Sequence, residues 1–197
     1  NSIDTKNILL ATKSFYFKDE SLNVFLCVGR LVKGKSIETI IRSFSLLKNE
    51  QNIRLLIIGD GELQEDLYSL INKLGLSDKI FMLPYQSDWW GLLKSSMALI
   101  TMSEAEGSPN VLLEAVAGRC PVIVSNINEH KEILGEQSEY YIDLFDYKAL
   151  SIAILKIIQN LNTSRVNTNN AFTSTNKYNV SSIAQEYSTL YNSILLK

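Results

Sequence analysis

The stretch VFLCVG at residues 24–29 is apolar at every position before its glycine, and RLLIIG at 54–59 follows the same pattern after its first residue. A strand that is apolar on both faces is typical of a parallel sheet covered by helices on both sides. Three further runs have this character, at 79–83, 98–102 and 121–125. The sequence therefore predicts five parallel strands.

Amphipathic segments separate these runs. The segment 36–48 places its apolar residues on one helical face, and 62–74 has the same spacing. A further helix is expected at 147–160. Strands and helices that alternate in this way form βαβ units. The predicted fold class is α/β, a Rossmann-like doubly wound parallel sheet, and such sheets bind ligands beyond the carboxyl ends of their strands.

The patterned part of the chain defines a predicted domain at 23–160. The residues that follow are rich in Asn, Ser and Thr and contain few apolar side chains, a composition that cannot form a core by itself. An amphipathic segment at 183–196 is expected to form a last helix. We therefore interpret 161–197 as a polar linker followed by a helix.

The composition of the chain indicates which partners and which cellular location to expect. The 197 residues carry 19 basic and 21 acidic side chains, for a formal net charge of -2, so a nucleic-acid partner is not expected. No apolar run reaches the roughly 18 residues of a membrane span, and the start is neither Met nor a signal peptide. We expect a fragment of a cytoplasmic protein, at most peripheral to the inner face of a membrane, with Cys27 and Cys120 as reduced thiols.

The loops after the first two strands differ in their chemistry. The loop GRLVKGK at 29–35 has two glycines and three cations before a helix, an arrangement suited to an anion, although such loops are often plain solvated surface. The loop GDGE at 59–62 begins like a dinucleotide fingerprint, but Gln64 stands where a third small residue is needed. We interpret Gly61 as a tight turn that brings its helix close to the sheet.

Two carboxylates, Glu106 and Glu114, bracket the turn GSPN at 107–110 that follows the fourth strand and leads into an apolar helix. Ser108 is expected to be the N-cap and Pro109 to lie in the first turn, with the amides of Asn110 and Val111 exposed to a ligand. Glu114 lies within the run VLLEAVA at 111–117, so its carboxylate needs a polar partner. A ligand hydroxyl is one candidate, and an internal donor is the alternative.

Together these motifs resemble glycosyltransferase family 4, whose donor-binding lobe carries a Gly-Arg-Leu loop with a downstream Lys and later Glu-Gly-x-Pro-Asn-x-x-x-Glu-Ala. The matching segments are GRL at 29–31 with Lys35, GDGEL at 59–63, EGSPN at 106–110 with Glu114, and Gly118 with Pro121. The resemblance covers essentially the whole chain and implies the carboxyl-terminal lobe of a two-lobed GT-B enzyme. Residues 1–22 then resemble the hinge between lobes.

The resemblance also implies a role for each matching residue. Arg30 and Lys35 would hold the donor's diphosphate, Glu114 the ribose hydroxyls, and Glu106 the sugar and the β-phosphate. The other donor-binding residues that it implies are Gly29, Met82, Leu83, Ser108, Pro109, Asn110 and Val111. The sequence departs from the family at Ser36, where a Gly is usual, and at Ser108, where an aromatic is usual. These departures leave the identity of the sugar open.

A family member of this kind would transfer a sugar from a UDP- or GDP-linked donor to a glycan or lipid-linked acceptor, with retention of anomeric configuration. Arg30, Lys35 and Glu106 would be the catalytic set, with no metal and no cofactor, and the acceptor would be bound through an amino-terminal lobe. Without that lobe we expect the chain to be inactive. A sugar-nucleotide epimerase, a phosphorylase and an inactive nucleotide-sugar-binding scaffold are the alternatives.

Two further features are interpreted as structural. His130, the single histidine, lies among charged residues and is expected to be a solvated side chain. Trp89 and Trp90 suit a sugar-stacking platform, but the segment around them is better explained as the start of a helix that packs its rings into the core.

Overall fold

The computed structural model describes residues 21–135 and 141–161, together with Ser164 and Gln185. The predicted hinge at 1–22 and the predicted last helix at 183–196 lie almost entirely outside these residues. All the strands and α-helices given below fall between residues 23 and 159.

Within the described residues the protein forms a parallel sheet of six strands in the order β3-β2-β1-β4-β5-β6. The strands are β1 Asn23–Val28, β2 Ile53–Ile58, β3 Ile80–Leu83, β4 Ala98–Thr101, β5 Val122–Ser125 and β6 Tyr141–Ile142. The five predicted strands are confirmed to within about a residue. The prediction missed β6, because two residues are too few to establish an alternating or apolar pattern.

Helices connect the strands on both sides of the sheet. The α-helices of the described residues are α1 Ile37–Ser45, α2 Gln64–Lys73, α3 Asn110–Ala117, α4 Asn128–Leu134 and α5 Tyr147–Gln159. Two 3₁₀ helices occupy Lys33–Lys35 and Trp89–Ser95. The helix expected to begin near Trp89 is therefore a 3₁₀ helix, while the expected burial of Trp89 is confirmed at 2% exposure.

The core has two layers, one on each face of the sheet. Phe25 and Cys27 of β1 pack into one apolar cluster with α1 and α5, whereas Leu26 and Val28 pack into a second cluster with α3. Successive strand residues point to opposite faces, so both faces of β1 are buried. This arrangement confirms the predicted doubly wound α/β fold. No helix of the described chain has the length and apolar character needed to cross a bilayer.

The loops after β1 and β2 touch at the carboxyl edge of the sheet, which requires glycine. A Cβ on Gly59 would collide with the Gly29 carbonyl, and one on Gly61 would lie 2.7 Å from the Leu31 carbonyl carbon. The close approach at Gly61 is to the backbone of the β1 loop, whereas the interpretation from the sequence was a tight turn that brings its helix close to the sheet. Since the strand order reverses between β1 and β4, a crevice opens at this edge, as doubly wound sheets predict.

Candidate functional site

A cleft of about 640 Å³ occupies this crevice. Its walls come from the loops that follow β1, β2, β3 and β4 and from the first turns of α3 and α4. The lining residues are Val28, Gly29, Arg30, Lys35, Gly59, Asp60, Tyr85, Thr101, Glu106, Ser108, Pro109, Asn110, Val111, Leu112 and His130.

The cleft brings together most of the residues singled out from the sequence. Gly29, Arg30 and Lys35 come from the first loop, and Glu106 with residues 108–111 comes from the turn after β4. Three predicted residues, Met82, Leu83 and Glu114, do not line this cleft. Beyond β3 the lining residue is instead Tyr85, which is 59% exposed and whose amide donates to Asp60 Oδ2 at 3.1 Å.

Lys35 and Glu106 form the electrostatic centre of the cleft. Lys35 Nζ lies 2.6 Å from Glu106 Oε1, and the Ser103 hydroxyl donates to the same oxygen at 2.6 Å. The side chains are only 25% and 12% exposed, so this ion pair is screened less by solvent than a surface pair. The geometry orients Glu106 before any ligand arrives. A second anion that bound in the cleft would have to share the Lys35 cation with the Glu106 carboxylate.

Ser36 explains one departure from the family pattern. Its backbone has φ 45° and ψ 39°, the left-handed conformation that glycine adopts without cost. The Ser36 hydroxyl donates to Glu104 Oε1 at 3.2 Å. The chain therefore keeps the backbone path that a glycine would take, with a hydroxyl contact added between the β1 loop and the β4 turn.

The start of α3 differs from the expectation at two residues. The helix begins at Asn110 with Pro109 at the N-cap position, and the Ser108 hydroxyl donates to Asn110 Oδ1 at 2.9 Å, so Ser108 is not the N-cap. The Asn110 amide donates to the Ser108 carbonyl at 2.9 Å and is thereby occupied. The amides of Val111 and Leu112 lie in the first helical turn, where the helix itself offers no acceptor.

Glu114 lies one turn further along α3, in apolar surroundings as expected. Burial raises the pKa of its carboxyl from 4.5 to about 7. The nearby Trp90 indole N–H acts in the opposite direction, although it makes no hydrogen bond of standard geometry. Glu114 is therefore a poorly compensated carboxyl, and its role toward a ligand stays a prediction.

His130 is the cleft residue whose environment the sequence analysis misjudged. The expected solvated side chain is wrong, since His130 is 0% exposed and lines the cleft. His130 lies in the first turn of α4, and its Nδ1 lies 2.9 Å from the carbonyl oxygen of Ser125, the last residue of β5. A signal was present in the sequence, because buried Ile133 follows three residues later on the same helical face.

The family to which the chain belongs is shown by comparison of its sequence with known proteins. The sequence model of the family described as glycosyl transferases group 1 matches residues 11–174. The chain is 31% identical over 162 residues to the capsular polysaccharide biosynthesis glycosyltransferase CapH of Staphylococcus aureus, covering 79% of this chain and 45% of that protein.

A second relative comes from Campylobacter jejuni. It is an N-acetylgalactosamine-N,N'-diacetylbacillosaminyl-diphospho-undecaprenol 4-alpha-N-acetylgalactosaminyltransferase, 33% identical over 127 residues, which cover 64% of this chain and 33% of that protein. The chain thus spans about a third to a half of the length of these curated relatives.

The same fold is found in a solved structure. Anabaena HepE in complex with UDP and glucose superposes with a TM-score of 0.83 at 18% identity, covering 98% of this chain and 55% of that one. The family match extends over most of the described residues and includes every residue that lines the cleft. The chain belongs to the group 1 glycosyl transferases.

Proposed function

We propose that this chain is the carboxyl-terminal, donor-binding lobe of a retaining family 4 glycosyltransferase of the GT-B type. The observation that carries the proposal is the convergence of Arg30, the Lys35–Glu106 ion pair and the first turn of α3 in one cleft at the carboxyl edge of the sheet. Cations beside unsatisfied helix amides suit a diphosphate, and a fixed carboxylate suits a sugar hydroxyl.

The order of the groups along the cleft supports one orientation of a nucleotide-sugar. Tyr85 lies at the β3 end, where the base would lie, and it lines the cleft in place of Met82 and Leu83. Arg30 and Lys35 follow in the middle for the diphosphate. Glu106 then faces the sugar, in the turn that follows β4.

Glu114 is the residue proposed for the ribose. It lies one turn beyond Asn110 on the same side of α3, so it lies beyond the lining of the cleft but follows a residue that belongs to that lining. A ribose diol is neutral and donates hydrogen bonds, so it can stabilise a carboxylate without bringing a second charge into an apolar site.

The transfer breaks the bond between the anomeric carbon and the phosphate oxygen, and the electron pair leaves with the nucleoside diphosphate. Negative charge then grows on the diphosphate, where Arg30, Lys35 and the α3 amides are positioned. Preorganised donors of this kind are commonly worth about 3–4 kcal/mol each in comparable sites. These groups account for the charge without a metal or a cofactor, so we propose that none is required.

The acceptor is proposed to be a glycan or a lipid-linked sugar, bound through an amino-terminal lobe. The Campylobacter relative, which is named for transfer to a diphospho-undecaprenol acceptor, supports this class. We propose that the whole protein works in the cytoplasm at the inner face of a membrane, where an acceptor of this class would be reached.

Binding of nucleotides to the 197-residue chain tests the proposal. We expect saturable calorimetric binding of UDP or GDP, and a loss of at least tenfold in affinity for Lys35→Met. Lys33→Met is the matched control, because Lys33 lies in the same loop but does not line the cleft, and its affinity should stay within about threefold of wild type.

The absence of binding by UDP, GDP and ADP at millimolar concentration, to a chain that unfolds cooperatively, would refute the donor-lobe assignment. Turnover by the whole protein separates an enzyme from an inactive scaffold. Sugar transfer that is abolished in Arg30→Ala would identify the enzyme.

A further inference from the structure

The tautomer of His130 follows from the two groups that face its Nδ1. The Ser125 carbonyl oxygen lies 2.9 Å away and can only accept a hydrogen bond. The Ser125 hydroxyl lies 3.3 Å away and donates its own proton to the Ser103 carbonyl oxygen at 2.6 Å. Both partners of Nδ1 are thus acceptors, so Nδ1 carries the proton.

Nε2 is then the unprotonated nitrogen of a neutral ring. Burial lowers the pKa of His130 below its ordinary value of 6.5, and the charged groups acting on it are Glu106, Glu129 and Lys35. A neutral ring with a proton on Nδ1 presents a lone pair at Nε2, which makes this atom an acceptor.

This acceptor has no partner in the described protein. Nε2 is fully buried and makes no hydrogen bond, although buried polar atoms are nearly always satisfied. His130 lines the cleft while its Nδ1 faces the end of β5, so the cleft is the direction from which a partner for Nε2 would come.

The acceptor character of Nε2 and its position in the cleft indicate which part of a nucleotide-sugar could contact it. Phosphate oxygens without protons cannot donate to an acceptor, whereas a hydroxyl can. His130 follows β5, and Tyr85 follows β3 at the other end of the cleft with β2, β1 and β4 between. These positions are four strand spacings apart, about 19 Å. The base and His130 therefore lie at opposite ends, with Glu106 near His130.

We infer that His130 Nε2 accepts a hydrogen bond from a hydroxyl of the donor's sugar and so contributes to sugar specificity. The inference rests on the proposed nucleotide-sugar function and adds a second sugar contact to Glu106. The chain Ser103–Ser125–His130 ties this contact to the same turn that holds Glu106, so the two groups are held in fixed relation.

Two substitutions of His130 distinguish the contribution of Nδ1 from that of Nε2. The amide of His130→Asn reaches about as far as Nδ1, so it can keep the Ser125 contact and lose the cleft acceptor. The longer amide of His130→Gln can place an oxygen near the position of Nε2. Thermal unfolding of both variants checks that they fold.

The probes are UDP with UDP-glucose and UDP-N-acetylglucosamine, and GDP with GDP-mannose, measured by calorimetry on the full chain. For the sugar that binds wild type, we expect His130→Asn to weaken binding about five- to tenfold, the effect of one hydrogen bond. The parent nucleotide should bind unchanged within about twofold, and His130→Gln should recover most of the lost affinity.

A deoxy analogue of that sugar identifies the hydroxyl. The analogue lacking the contacted hydroxyl should bind wild type about five- to tenfold more weakly, with no further loss in His130→Asn. Equal losses for the sugar donor and the parent nucleotide, or no loss at all, would overturn the assignment to the sugar while leaving the donor-lobe function intact. If no nucleotide binds wild type, the proposed function fails and the inference fails with it.

Discussion

Glu106 and Glu114 belong to the same turn-helix unit but meet different physical conditions. Glu106 is held by the Lys35 ammonium and the Ser103 hydroxyl, each at 2.6 Å. Glu114 has no cation in its own helix, and burial raises the pKa of its carboxyl to about 7. Glu106 is therefore already oriented for a ligand. Glu114 instead carries a desolvation cost, which a hydrogen bond from a ligand hydroxyl can reduce.

Glu114 gives a prediction for stability against pH. Its pKa is raised in the folded state from 4.5 to about 7, so between these values the folded state binds more protons than the unfolded state. The free energy of unfolding therefore falls as pH rises through this window. We expect Glu114→Gln to raise it by about 1–2 kcal/mol at pH 8, a value reduced for residual solvent screening, and to change it little at pH 4.

Urea denaturation at pH 4 and pH 8 measures this difference. Glu38→Gln is the control, because Glu38 forms an exposed pair with Arg42 on the surface of α1 and should change stability by no more than about 0.5 kcal/mol at either pH. A Glu114→Gln variant that is destabilised equally at both pH values would show that the carboxylate is well compensated in the fold.

At the scale of elements, the cleft depends on how closely the β1 and β2 loops approach. The Leu31 amide donates to the Asp60 carbonyl at 2.9 Å, and the Leu63 amide donates to the Leu31 carbonyl at 3.0 Å. These bonds hold the loop that carries Arg30 against the start of α2. Side chains at Gly59 or Gly61 would push the two loops apart.

Gly61→Ala is expected to destabilise the fold by at least about 2 kcal/mol, because its Cβ would overlap the Leu31 backbone, which cannot move aside as a flexible side chain would. Gly34→Ala is the matched control, since a Cβ there meets nothing within 4 Å. It should change stability by less than about 1 kcal/mol in either direction. The midpoints of urea denaturation of the two variants measure this difference. Equal destabilisation by the two substitutions would contradict the explanation by close approach.

At the scale of the whole molecule, two apolar layers hold the strands so that their carboxyl ends form one edge. Residues from four loops and two helix starts meet there, although they are separated by up to about a hundred positions in the chain. The packing of the whole sheet therefore assembles the cleft on which the proposed donor-binding function rests.

The proposed charge compensation by side chains predicts how the whole protein responds to metal removal. We expect turnover to stay within about twofold of its untreated rate in excess EDTA, because Arg30, Lys35 and the α3 amides supply the positive field at the diphosphate. Arg30→Ala should lose turnover both with and without EDTA. Loss of activity in EDTA that Mg²⁺ or Mn²⁺ restores would show that the cations of this lobe are insufficient.

Much of the molecule was predictable from local patterns. Runs that are apolar on both faces identified five strands, and the 3.6-residue spacing identified α1, α2 and α5, because secondary structure and burial follow from periodicity. Gly61 was recognisable as a turn residue. The two-residue strand β6 and the 3₁₀ geometry at Trp89–Ser95 were not, since neither produces a periodic signal.

The sequence by itself determined the fold class, the glycosyltransferase assignment and the charged residues of the β1 loop and the β4 turn, because each follows from short runs of contiguous residues. Only the tertiary structure decided that Lys35 pairs with Glu106, that Tyr85 lines the cleft in place of Met82 and Leu83, and that His130 Nε2 lacks a hydrogen-bond partner. Distances and desolvation between residues far apart in the chain arise from packing of the whole sheet, and no local pattern encodes them.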